Sequence, residues 1–313
     1  MNPDSIYFPQ SRKCPVCKTA FATQRVRSSA SVVSERDSDF RTCYKTINPT
    51  HYSIHVCPNC LFAAQDSQFE QEIPDGEREA IYRALLQLKQ QEPDFGGKRT
   101  SEQALRTLEL AVRSAQLRKQ GASALAGLFL RAAWICRELG NAERELVFLE
   151  QAKTFYLESF AGERETKMSQ CTLMYLIGEL HRRTGNYQEA VRWFSRVISD
   201  RGIKAEPEIE RLTRQRWAEA KEAFGRAQSN PDAPPVLEKR RQSIRVTLEE
   251  DLLLWARRAL GTNSPGVGLD DLLRALLSLV RERQADLGGC RSDEELLAKL
   301  RSVLTAPPES TNH

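Results

Sequence analysis

Four of the chain's eight cysteines form two Cys-x-x-Cys pairs, Cys14-Pro15-Val16-Cys17 and Cys57-Pro58-Asn59-Cys60. Two intervening residues let a tight turn aim both sulfurs at one ion, and two such turns supply the four tetrahedral thiolates that Zn²⁺ prefers. A closed four-thiolate shell leaves no coordination position for water or substrate. The expected role is therefore structural, with metal binding contributing folding energy to a head too small to build a core of its own. A thiol redox couple is the rival chemistry, but it would need a βαβ surround, which this sequence lacks, and it has no use for a second pair. A reducing compartment disfavours disulfides, and the spacings are not those of iron–sulfur ligand runs.

Cys43, His51 and His55 lie between the knuckles, and none is assigned to the metal. His55, two residues before Cys57, is read either as a hydrogen-bond donor to a sulfur or as a surface histidine without a role. Cys43, beside Tyr44, is read as a small buried hydrophobe. Arg25, Arg27, Arg36 and Arg41 interleave with Glu35, Asp37 and Asp39. Such a cluster is either a solvated face of weak ion pairs or, over Ser34–Phe40, a recognition loop. No Ser–His–Asp set or paired carboxylates are found, and Gly96-Gly97-Lys98 lacks the preceding strand and the remainder of a phosphate loop. The four histidines, one of them terminal, leave few candidates for acid–base chemistry.

The elements that must position these residues change character along the chain. Residues 1–70 are punctuated by Pro9, Pro15, Pro49 and Pro58 and predict short strands and turns. Tyr52–Val56 alternates and predicts a strand running into the second knuckle. From Glu77 the apolar period is helical, and after the breaker Pro93–Gly97 helices run almost unbroken to Arg226. The segment Ser229–Pro235 holds three prolines and reads as a linker. The expected domains are a β head at 1–70, a helical domain at 77–227, a linker at 228–242, a strand-helix-helix unit at 243–304 and a tail at 305–313 without a packed core. The charge balance is 46 − 42 = +4 over 313 residues, so no mandate for nucleic-acid binding covers the whole surface. No apolar run is long enough to span a bilayer and the start shows no leader pattern, so a soluble cytoplasmic protein is expected.

Within the helices, Met174-x-x-Ile177-Gly178-x-x-His181, Gly185-Asn186-Tyr187 and Ala190-x-x-x-Phe194 resemble a tetratricopeptide repeat, whose small residues let two antiparallel helices approach closely. A weaker copy precedes it: Phe129-x-x-Ala132-Ala133-x-x-Cys136, Gly140-Asn141, Glu145-x-x-x-Leu149. The two turn glycines are 185 − 140 = 45 residues apart, longer than the usual period, so the earlier copy's second helix must be lengthened. Cys136 and Cys171 then read as core fillers. Such an array offers a concave groove, and Leu130, Trp134 and Arg137 of one copy with Tyr175, Glu179 and Arg182 of the next are the residues expected to face it. The carboxylate-clamp pattern of Lys and Asn is missing from these positions. The groove is read either as a peptide site of unknown ligand or as a packing surface for neighbouring domains.

Cys14–Cys17, Val26–Ser29, Arg36–Phe40, Asn48-Pro49 and Val56–Cys60, followed by Leu125–Leu128 and Arg131-x-Ala133-Trp134, resemble an uncharacterised bacterial domain-of-unknown-function family over about residues 10–225. The resemblance implies a zinc-ribbon-like head on tetratricopeptide-like helices and brings no activity with it. Family members often carry Gly and an aromatic after the second knuckle, where this chain has Leu61-Phe62.

Beyond the linker, Ser243–Leu248 alternates, Glu249-Glu250-Asp251 opens a helix through Trp255, and a second helix follows Asp270. This resembles a ribbon-helix-helix unit, which pairs strands from two chains in the major groove. The resemblance places Ser243, Arg245 and Thr247 on the outward face, with Lys239, Arg240 and Arg241 as phosphate contacts. The long Gly261–Gly268 loop and Leu296, Leu297 and Leu300, which suggest a third helix, depart from that pattern. The competing reading is a small helical packing or dimerisation domain. The fold class expected is mainly α, with a small zinc-bound β head and a small C-terminal helical unit. The expected function is a non-enzymatic zinc-binding interaction or regulatory protein with a protein partner. The rivals are a homodimeric DNA-binding regulator and a thiol redox protein.

Overall fold

The computed structural model of the chain describes residues 6–88, 93–162 and 168–229. The DNA-contact candidates Lys239, Arg240, Arg241, Ser243, Arg245 and Thr247, most of the linker, the strand-helix-helix unit and the tail lie outside the described residues. The described part is mainly helical, with three small antiparallel hairpins at its N-terminal end.

The first hairpin pairs β1 (Tyr7–Lys13) with β2 (Ala20–Val26), in register from Tyr7↔Val26 to Lys13↔Ala20, and the first knuckle is its turn. The second pairs β3 (Val33–Arg36) with β4 (Thr42–Tyr44) across a bulge and ends in an acidic tip at residues 37–41. The third pairs β5 (His55–Val56) with β6 (Ala63–Ala64), and the second knuckle is its turn. The strand expected over Tyr52–Val56 is shortened to two residues, because Pro49–Tyr52 closes a 3₁₀ turn capped by the Asn48 side chain. Pro49 fixes φ at the first position of that turn, and the Asn48 amide oxygen accepts from Thr50 N at 3.0 Å.

Eight α-helices follow among the described residues: α1 (Asp66–Phe69), α2 (Asp75–Leu86), α3 (Ser101–Leu117), α4 (Ala122–Glu138), α5 (Ala142–Gly162), α6 (Gln170–Arg183), α7 (Tyr187–Ser199) and α8 (Pro207–Ser229). From α3 onward each packs on the next. Thr100 opens α3 with a reciprocal cap: its hydroxyl accepts from Gln103 N, and the Gln103 side chain accepts from Thr100 N. The two repeats end their first helices in the same way. Gly140 and Gly185 take φ of 71° and 81°, and Asn141 N and Asn186 N reach back to the carbonyls of Cys136 and His181. This is the left-handed helix stop that favours glycine. α5 has 21 residues against 13 for α7, which is where the lengthened repeat period goes.

Gly178 is the close approach between α6 and α7. A Cβ there would lie 2.9 Å from the Phe194 ring and 3.2 Å from Trp193 Cβ, so only the missing side chain lets the helices meet at this distance. Ala190, Cys136 and Cys171 are buried in the same core. That core extends into the head: Ile54, Val56, Leu61 and Ala63 join α3 through Leu105, Leu108 and Val112. Arg99, largely buried, binds the head to the start of α3. It donates to the carbonyls of Phe95, His51 and Ile54 at 2.8–3.0 Å. A second core gathers Cys14, Val16, Cys57, Cys60 and Phe62 against Phe69, Ile73, Ile81 and Leu85 of α1, α2 and the loop between them.

Candidate metal centre and the groove

The two knuckles are built alike. Cys14 N donates to Thr19 O and Lys18 N to Cys14 O; Cys57 N donates to Phe62 O and Leu61 N to Cys57 O, all at 2.9–3.0 Å. Lys18 and Leu61, each directly after the second cysteine of its pair, both take φ of 62°. This left-handed position is where glycine sits without penalty, so Leu61 costs on the order of 1 kcal/mol. Its side chain compensates by lying buried against α3.

The four sulfurs converge. Cys14 Sγ is 3.6 Å from Cys60 Sγ and Cys17 Sγ is 3.5 Å from Cys57 Sγ, and all four lie within 4.8 Å of one another. Tetrahedral zinc with bonds of about 2.3 Å requires sulfur–sulfur separations of about 3.8 Å. Four cysteines so placed fit a metal ion. Their protonation points the same way. Hydrogen bonds with Cys14 and Cys60 lower the Cys57 thiol, while the hydrogen bond with Cys57 raises Cys14 and those with Cys14 and Cys57 raise Cys60. Cys57 ionises ahead of Cys14 and Cys60, and a shared divalent cation would favour the thiolate form.

The candidates between the knuckles go elsewhere. His55 is neither at the surface nor on a sulfur: it is fully buried, and its Nε2 lies 2.6 Å from Asp66 Oδ1. Burial and then Arg12 and Arg25 lower it to about 4, which keeps the ring neutral. Asp66, at the start of α1, also pairs with Arg12 and Arg25 and so ties the first hairpin to the head. Nothing in residue spacing marked Asp66 as that hub. His51 Nε2 lies 2.9 Å from Glu138 Oε1. Burial would raise Glu138, but His51, Asn48 and Ser101 lower it to about 2. Cys43 is half-buried in β4 rather than in a core.

The acidic tip differs from a solvated face. Asp39 is fully buried, and three of the groove residues expected to await a peptide, Arg137, Tyr175 and Glu179, are bonded to this tip. Arg137 Nη1 reaches Asp37 Oδ2 at 2.5 Å, Nη2 reaches Asp39 Oδ2 at 2.6 Å, and Nε reaches Glu145 Oε1 at 2.8 Å. Tyr175 OH donates to Ser38 O at 2.7 Å, and Ser38 Oγ donates to Glu179 Oε1 at 2.6 Å. Arg182 holds Glu179 from the other side at 2.7 Å. Arg183, which the sequence reading passed over, donates to Ser38 Oγ at 2.9 Å. Leu130, Arg137, Tyr175, Glu179 and Arg182 are all buried, and Trp134 is partly so. Burial would raise the Asp39 carboxyl, yet Arg183 and Arg137 outweigh it and hold it well below the usual carboxylate range.

These features define a mainly helical protein whose small β head carries a four-cysteine centre and is keyed into the helical groove. The chain belongs to the bacterial family described as "Uncharacterized protein conserved in bacteria (DUF2225)", whose match spans residues 7–220, from β1 through most of α8. A protein of Borreliella burgdorferi, itself described only as uncharacterized, is 29% identical over 168 residues, covering 48% of this chain and 60% of the relative. The match thus spans less than two thirds of that relative. No solved structure matches the chain.

Proposed function

We propose that the chain is a non-enzymatic, zinc-dependent interaction protein, its metal structural and its tetratricopeptide-like helices a scaffold for a protein partner. The observation that carries this reading is the convergence of four cysteine sulfurs within 4.8 Å. Cys14, Cys57 and Cys60 have no exposure and Cys17 is half-buried, so three of the four sulfurs are closed to a substrate or an external disulfide. That burial weighs against a thiol redox role, which needs an accessible attacking sulfur. When bound, zinc would supply charge neutralisation and a cross-link between the first and third hairpins, and no open position for catalysis. Among the described residues no helix is long and apolar enough to cross a membrane, and the proposed site of action is the cytoplasm.

The test pairs metal analysis with capture. Purified protein should hold one zinc, and chelation should unfold the head around the knuckles while α3–α8 stay helical by circular dichroism. Tagged protein should retain a protein partner from lysate with or without nuclease. Partner capture that vanishes with nuclease would move the function to nucleic acid. Catalytic reductase turnover would move it to redox chemistry.

A further inference from the structure

The tip of the second hairpin is held the way a protein holds a short peptide. It is a tight turn, closed by Phe40 N to Asp37 O at 3.0 Å and Asp37 N to Arg41 O at 2.8 Å. It presents a main-chain carbonyl to Tyr175, a hydroxyl to Glu179, two carboxylates to Arg137, and a phenyl ring 5.4 Å from that of Tyr175. Everything it touches in this list comes from α4 and α6.

The receiving surface is complementary in charge. Arg137 reaches Asp37 and Asp39 of the tip as well as Glu145, Arg183 reaches Asp39 as well as Glu179, and Arg182 pairs with Glu179 and Glu219, so the tip's carboxylates meet arginines of the helices. Arg137 also fits the geometry of acid recognition, with its guanidinium fork spread over the carboxylates of Asp37 and Asp39.

The carrier of the tip is slight. β3 is exposed along its whole length, and the hairpin has three paired positions broken by a bulge. An isolated two-stranded hairpin is marginal in water. Phe40 takes φ of 68°, a left-handed conformation that costs a non-glycine residue on the order of 1 kcal/mol. The groove side, by contrast, is set in the interior of the helical core.

We propose that the groove between α4 and α6 is a recognition site for an acidic turn of the form Asp-x-Asp-aromatic. The chain's own residues 37–40 are its resident occupant, and a partner protein displaying the same turn competes with them. This names the partner chemistry of the interaction reading above and rests on it. The apparent affinity for such a partner is reduced by the fraction of molecules whose groove is filled in cis.

The probe is a fluorescein-labelled peptide of residues 34–42, Ser-Glu-Arg-Asp-Ser-Asp-Phe-Arg-Thr, titrated by anisotropy against the full chain in which Asp37, Ser38, Asp39 and Phe40 are each replaced by Gly. The expected result is saturable, salt-sensitive binding at least about tenfold tighter than to the unaltered chain. It should be lost with Arg137→Ala and with a peptide carrying Asn for both Asp. A zinc-bound, cooperatively melting variant that binds no better than to a scrambled peptide overturns the inference, while its zinc content leaves the metal reading standing. A variant that cannot fold also overturns it, because the tip is then an inseparable part of the core. Hydrogen exchange on the unaltered chain decides independently. Opening of residues 33–44 ahead of α4 and α6 supports an exchangeable occupant, and opening in step with them contradicts it. Binding of the peptide only as an exchanged segment of a second copy, seen as dimer by sedimentation, would replace a partner by self-association and overturn the proposed occupant.

Discussion

Two devices hold the head of this protein, and they solve the same problem in different ways. At the tips of the first and third hairpins, four cysteine sulfurs converge within 4.8 Å, a placement that fits a metal ion. At the tip of the second hairpin, the buried Asp39 carboxylate is neutralised by Arg137 and Arg183 from the helices, with no ion needed. The first device ties the head to itself and the second ties it to the helical groove. On the proposed reading the first link would depend on a metal and the second on none, and each can be broken alone.

The largest effect is expected from Cys57→Ser. Losing one of four ligands removes metal binding that is also folding energy, on the order of 5 kcal/mol or more. Zinc content should fall below one per chain and the head should lose its fixed tertiary signal, while Cys136→Ser keeps the metal. The second attachment should survive chelation in part: Arg137 and Asp39 sit in the helical core rather than beside the sulfurs. Removing Arg137 as Ala strands Asp39 and Glu145 without their shared partner and should cost about 3–5 kcal/mol in denaturant unfolding. The double change Arg137→Met with Asp39→Leu should cost less than the single one, since the fully buried Asp39 carboxylate is no longer left without Arg137.

Acid should discriminate further. The folded states of Asp39 and Glu138 hold their protons more weakly than the unfolded chain does, with Glu138 lowered from 4.5 to about 2. Their contribution to stability is therefore complete above the unfolded carboxyl values and is lost as pH falls from about 5 toward 2. Thermal midpoints across that window should fall, and the Arg137→Met, Asp39→Leu variant should show a shallower decline. Gly178→Leu tests the helical side by itself: overpacking against Phe194 and Trp193 should cost about 1–3 kcal/mol or more without loss of zinc. The smallest effect is a gain. Lys18 is exposed and left-handed, so Lys18→Gly should raise the midpoint of the zinc-loaded protein by up to about 1 kcal/mol.

The cysteine centre was legible because its chemistry is written in local spacing: two turns of four residues each announce their ligands wherever the chain folds. The repeat turns were legible for the same reason, since Gly140-Asn141 and Gly185-Asn186 mark their own helix stops. The acidic tip was not. Asp39 and Arg137 are 98 residues apart and Ser38 and Tyr175 are 137 apart, so an interleaved run of acids and arginines reads as a solvated face until the fold brings α4 and α6 against it. Of the groove residues, Arg137, Tyr175 and Glu179 meet the tip of the second hairpin, and periodicity says nothing about what fills a concavity. His55 went astray through proximity: adjacency to Cys57 suggested a sulfur, whereas the ring turns to Asp66.

The central claim, a structural zinc held by four thiolates, is tested most directly by X-ray absorption at the zinc edge on protein purified without added metal. The account predicts one zinc per chain with a first shell of four sulfurs at about 2.3 Å and no lighter scatterer. A first shell containing oxygen or nitrogen, or full zinc retention in both Cys14→Ser and Cys57→Ser, would contradict it.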